Sequence, residues 1–136
     1  MRIAQFTTNS FDKVYVVFEN NTSLWWLKVL KPGFRHCYLL LPFEDGNSYL
    51  ELNPFSNQLS VGIRRNTGIV GYIDYLCSDS LRQVVRAQIE IAPLKCAPLG
   101  LFSCVEFAKR ILGMHSRFII TPYQLYKKLK IVGKKS

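Results

Sequence analysis

The chain holds 136 residues, 49% of them hydrophobic and 13% aromatic, which is the material of one domain with enough apolar side chain for a core and excludes a mostly disordered protein. Apolar runs fall short of the ~18 residues that a membrane-crossing helix needs. The formal charge is +9, from 18 Lys+Arg against 9 Asp+Glu, and Lys127, Lys128, Lys130, Lys134 and Lys135 crowd its end; such a Lys-rich terminus suits nonspecific contact with a polyanion, or simply a solvated end.

No continuous apolar stretch precedes Asp12 and Lys13, so no signal peptide is expected and the chain reads as cytoplasmic when synthesised. Cys37, Cys77, Cys96 and Cys104 are then expected as reduced thiols. No C-x-x-C spacing occurs, and His36 and His115 are the two histidines, a poor set for structural zinc. No metal or organic cofactor is implied.

Residues 13–19 (KVYVVFE) are β-branched and aromatic and read as a strand. After the Asn20-Asn21 turn, 23–30 (SLWWLKVL) reads as a short helix stopped by Pro32-Gly33, with Trp25-Trp26 either lining a cleft or acting as core and surface anchors. Residues 34–41 (FRHCYLLL) are apolar on both sides of the pleat, which predicts a central strand covered on both faces. The turn Glu44–Asn47 leads into a return strand over 48–52, and 58–63 (QLSVGI) completes a three-strand meander. Residues 69–76 fit strand or helix, and 84–91 (VVRAQIEI) alternate as a strand.

Two helices close the chain. Ser103-Cys104-Val105-Glu106 is a capping box with Ser103 as N-cap and Cys104 as the first helical residue; Val105, Ala108, Ile111 and Leu112 recur on one face, and Gly113 stops the helix. Thr121-Pro122-Tyr123-Gln124 opens the second with another box, Leu125 and Leu129 facing the core.

That first box carries the chemistry. A helix N-terminus stabilises a thiolate and leaves backbone N–H groups free for an oxyanion, so Cys104 is the candidate nucleophile. Its base is expected to be His36, aimed by a rigid strand. His115 lies past Gly113 at the far end of the same helix, roughly 15 Å from Cys104. Tyr49, Glu51 and Asn53 share one face of the return strand, so Asn53 or Glu51 can orient the imidazole: Asn53 holds the tautomer without adding charge, Glu51 would stabilise the imidazolium more.

Gly33-Phe34-Arg35-His36-Cys37, Glu51-Leu52-Asn53-Pro54, Phe102-Ser103-Cys104-Val105-Glu106-Phe107 and Thr121-Pro122-Tyr123-Gln124-Leu125 resemble the circularly permuted members of the NlpC/P60 branch of papain-like enzymes, small phage or bacterial proteins among them. The order of His first and Cys later is the permuted one. The resemblance spans roughly residues 33 to 129. It implies an α+β fold with an antiparallel sheet of about four to six strands packed against helices, one papain-like domain over 1–130 and a basic tail over 131–136. It implies a thiol peptidase, amidase or acyltransferase acting through an acyl-enzyme, with Cys104, His36 and either Asn53 or Glu51 as site residues. Its substrate would be a peptide or amide, with the peptide bonds of peptidoglycan suiting the positive charge, and a phage member would be virion-associated. Two other classes compete: a non-catalytic phage or bacterial assembly protein on the same fold, and a basic nucleic-acid-binding module, for which no helix-turn-helix, zinc-finger or RNP-like motif is present.

Overall fold

A computed structural model describes residues 13–21, 25–55, 58–65, 68–88, 103–114 and 116–134. Their elements run β1 (Lys13–Glu19), a 3-10 helix (Trp25–Val29), β2 (His36–Pro42), β3 (Tyr49–Pro54), β4 (Leu59–Arg64), α1 (Ile69–Cys77), β5 (Gln83–Gln88), α2 (Cys104–Leu112) and α3 (Pro122–Lys134). Every strand pairing is antiparallel, and the five-stranded sheet has the order β4-β3-β2-β1-β5. The α+β class and the meander β2-β3-β4 agree with the sequence reading. Trp25 and Trp26 head the 3-10 helix, their side chains outside the described set.

The pleat divides the core in two. Val14, Val16 and Phe18 of β1 and Cys37, Leu39 and Leu41 of β2 point to one face, where Val105, Ala108 and Leu112 of α2 and Leu125 and Leu129 of α3 cover them. Val17, Tyr38, Leu40 and Tyr49 point to the other, against Ile69 and Leu76 of α1. The apolar run of β2 is thus buried on both sides, as a central strand's must be. Residues 69–76 resolve as helix because Ile69, Tyr72, Ile73 and Leu76 recur at three- and four-residue intervals and all pack on that second face.

Strand ends differ from the expected ones. Phe34 and Arg35 precede β2, so His36 is its first residue. β3 runs on through Asn53 and Pro54, and Pro54 is tolerated because it ends the strand. Residues 131–134, expected in a basic tail, continue α3 to Lys134.

Both helices are capped as expected at the N-cap residue, but only the α3 box closes on both sides. Ser103 Oγ accepts the Glu106 N–H at 3.2 Å, and Gly113 takes the left-handed conformation (φ 72°) past the end of α2. Glu106 does not reciprocate at the cap; its carboxylate pairs with Lys109, which is buried and also donates to the carbonyls of Ser116 (2.7 Å) and Ile119 (2.8 Å). At α3, Gln124 N–H donates to Thr121 Oγ1 (3.3 Å) while Thr121 N–H donates to Gln124 Oε1 (3.0 Å).

Candidate functional site

The site forms where the start of β2 meets the N-terminus of α2. Gly33, in the left-handed region (φ 85°), turns the chain into β2; its N–H donates to Asn20 Oδ1 at 2.9 Å, and a Cβ there would stand 3.2 Å from the Leu81 carbonyl oxygen. Cys104 is brought to the sheet by the burial of Val105, Ala108 and Leu112 behind it.

The structure brings Cys104, His36 and Asn53 together. His36 Nε2 lies 2.7 Å from Asn53 Oδ1. An amide oxygen only accepts, so Nε2 carries the proton and donates it, which leaves Nδ1 as the ring nitrogen to serve Cys104; the thiol and the imidazole each shift the other's ionisation. The ring also stacks on Phe55 (centroids 5.9 Å apart, planes 12° apart) and on Tyr38 (6.4 Å, 29°). Of the two residues that sequence left in competition, Asn53 makes the imidazole bond. Glu51 pairs across the ladders with Leu40 and Gly62, and its charge acts on Glu19 and Tyr38.

The electrostatics of the group favour a thiolate–imidazolium pair. The Cys37 thiol, hydrogen bonded to Cys104, is the largest influence lowering the Cys104 thiol to about 5; burial opposes it, while the His36 hydrogen bond and charge and the Cys37 backbone N–H add to it. His36 is held above its ordinary 6.5 even though burial, its largest single influence, pushes it down, because its bonds to Cys104 and Asn53 and the charges of Cys104 and Glu19 favour the cation. The first-turn N–H groups of α2 at Cys104 and Val105 have no intrahelical acceptor and face this end of the helix, the position an oxyanion would take.

Two members of the group were not legible as such in the sequence. Glu19 is the cross-strand partner of His36, is pushed up by burial, and is bridged to Arg82 at 3.7 Å. Cys37 is fully buried, which its apolar strand predicted, yet it contacts Cys104 as well as the core. Cys37, Cys77 and Cys104 are free thiols; Cys77 is exposed, away from this contact. Cys96 and His115 lie outside the described residues. Among the described residues no cluster of three or more His, Cys, Asp or Glu could hold a metal ion, and no helix is long and apolar enough to cross a membrane.

Comparisons with protein-family models, curated proteins and solved structures find no significant match to the chain.

Proposed function

We propose that this chain is a cysteine hydrolase of peptide or amide bonds, built as a circularly permuted papain-like domain of the NlpC/P60 type. Cys104 is the nucleophile, His36 the acid and base, and Asn53 the residue that positions the imidazole. The observation that carries the reading is one imidazole bonded to Asn53 through Nε2 (2.7 Å) while it meets, at the start of a helix, a thiol lowered to about 5. The chain order of His36 on β2, Asn53 on β3 and Cys104 at the start of α2 supports the permuted assignment.

In this reading the Cys104 thiolate attacks the carbonyl carbon, and the carbonyl π pair moves onto oxygen, facing the α2 N–H groups. His36 gives its Nδ1 proton to the leaving nitrogen as the C–N bond breaks, leaving a thioester on Cys104. Water then loses a proton to His36 and adds to the thioester carbon; the C–S bond breaks, and the acid and thiolate are released. Asn53 keeps Nε2 protonated throughout, so the ring alternates only at Nδ1. The net charge of +9 favours an anionic substrate, and the peptide stems of peptidoglycan are the class that fits.

An activated aryl ester tests the chemistry without knowledge of the natural substrate. A burst of phenolate equal to the protein, with the acyl group found on Cys104 by peptide mass spectrometry, is expected. Cys104→Ser and His36→Ala should lose it. A parent protein with no burst and no acyl adduct would point instead to a binding or assembly role.

A further inference from the structure

The hydrolytic chemistry leaves one buried thiol of the site unused. We infer that Cys37 is the resolving thiol of an oxidative modification site, in which a hydroperoxide oxidises Cys104 and Cys37 then closes a Cys37–Cys104 disulfide. The inference rests on the reading of Cys104 as a thiolate, and adds to it a second reactant class and a second residue.

The placement is specific. Cys37 is the second residue of β2, has no exposure, and points toward the helix face of the sheet; Cys104 opens α2 and packs against that same cluster. Cys104 packs against the buried cluster that holds Cys37, and each thiol is the largest influence on the other's ionisation, as two neighbouring sulfurs would be. Cys104 is the partly exposed member and Cys37 the buried one, so an oxidant from solvent meets Cys104 first.

The steps balance. The Cys104 thiolate attacks one oxygen of the hydroperoxide; the O–O bond breaks, the released alkoxide or hydroxide takes a proton, and Cys104 becomes a sulfenic acid. The Cys37 sulfur then attacks the Cys104 sulfur, the S–O bond breaks, and the Cys37 proton leaves with hydroxide as water. Two thiols are oxidised and one peroxide is reduced. Before oxidation the Cys37 thiol is held well up, chiefly by its hydrogen bond to the Cys104 sulfur and then by burial and the Cys104 charge. Converting Cys104 to a neutral sulfenic acid removes that charge, so the first oxidation eases deprotonation of Cys37 at the moment its sulfur is needed. The disulfide would occupy the nucleophile and shield it from irreversible oxidation.

The test treats the folded full chain with hydrogen peroxide in excess of two equivalents, enough for both oxidation steps at one sulfur, and maps the peptides by mass. Expected are a Cys37–Cys104 linked peptide, loss of Cys104 alkylation, and its recovery with dithiothreitol. Cys37→Ala also removes the largest influence lowering the Cys104 thiol, so this variant is treated at a pH at which its Cys104 alkylates as fast as the parent's; there Cys104 should go on to the sulfinic acid, which dithiothreitol does not reverse. Sulfinic acid at Cys104 of the parent with Cys37 still a thiol, or a link from Cys104 to Cys77 or Cys96, overturns the inference. The pH profile of Cys104 alkylation, taken on the same reduced sample, separates the two readings. An acid-shifted profile without the Cys37 link defeats the disulfide alone; an ordinary thiol profile defeats the nucleophile and the disulfide together.

Discussion

Replacing His36 with Ala removes from Cys104 one hydrogen bond and one positive charge, and the effect is best read from the pH profile of alkylation. At pH 6.5 a thiol at about 5 is ~97% thiolate, whereas one at the ordinary ~8.5 is ~1% thiolate, a gain of ~100-fold. Nucleophilicity falls with basicity, however, and a Brønsted slope of ~0.4–0.5 over that difference costs each thiolate ~25–60-fold. The net advantage at pH 6.5 is only ~2–4-fold. At pH 5 the thiolate ratio is ~1,600-fold, so Cys104 should alkylate ~30–60-fold faster than an ordinary cysteine. Iodoacetamide labelling at a series of pH values, with each site quantified by peptide mass spectrometry, should give for Cys104 an inflection near 5 and a plateau above it, and for the exposed Cys77 a rise toward ~8.5. His36→Ala should move the Cys104 inflection upward. Cys37 still bonds to Cys104 in that variant, so the inflection should stop short of ~8.5. A parent profile that climbs tenfold per pH unit to ~8.5, or one unchanged by His36→Ala, would refute the pairing.

Further outcomes follow from the same geometry. The Asn53 bond helps raise the His36 imidazole, so Asn53→Ala should lower the pH at which the ring loses its proton, followed by NMR of the ring protons, while Glu51→Gln should leave it in place. The lowered Cys104 thiol contributes stability fully above the unfolded ~8.5 and loses its contribution as pH falls through about 5, whereas the raised His36 contributes fully below 6.5 and loses its contribution as pH rises through its folded value. Denaturation of Cys104→Ser should therefore fall further below the parent at pH 7 than at pH 4.5. Lys109→Met strips a buried cation from Glu106 and from two carbonyls and should cost about 3–5 kcal/mol by urea titration. Gly33→Ala forces an L side chain into the left-handed region against the Leu81 carbonyl, and should cost at least ~1–2 kcal/mol by the same measurement.

What the sequence disclosed was what local physics decides. Ser103 and Thr121 announce helix starts because capping is settled within four residues, and Cys104 inherited its position from the first of them. An unbroken apolar run identified 34–41 as a central strand, and the alternation over 49–53 put Asn53 and Glu51 forward together. Deciding between those two required the ladder register and the strand ends, which pairing sets. The same holds for Glu19, which meets His36 only because β1 lies beside β2 in the sheet. Residues 69–76 were undecided for another reason: Ile69, Val70, Tyr72 and Ile73 carry strand propensity, and helix wins through the tertiary burial of Ile69 and Leu76. Glu106 was expected to close its cap and instead pairs with Lys109, a preference that exists only because Lys109 is buried.

The candidate site draws its precision from elements that are fixed for reasons of their own. β2 is bonded on both edges, to β1 and to β3, so His36 stands at the end of a strand that has little freedom to shift. α2 is pinned by three fully buried residues on the sheet side and by Lys109 at its far end, which ties the helix to the segment leading into α3. Neither element needs the Cys104–His36 contact in order to form. The thiol and the imidazole are thus placed together by core packing before any attraction between them acts, and the ordering cost that an isolated pair would bear is already met by the fold. A side-chain pair held in this way keeps its geometry when its charge is removed, which is why Cys104→Ser and His36→Ala are informative here: each should change the chemistry of the site while leaving its scaffold in place.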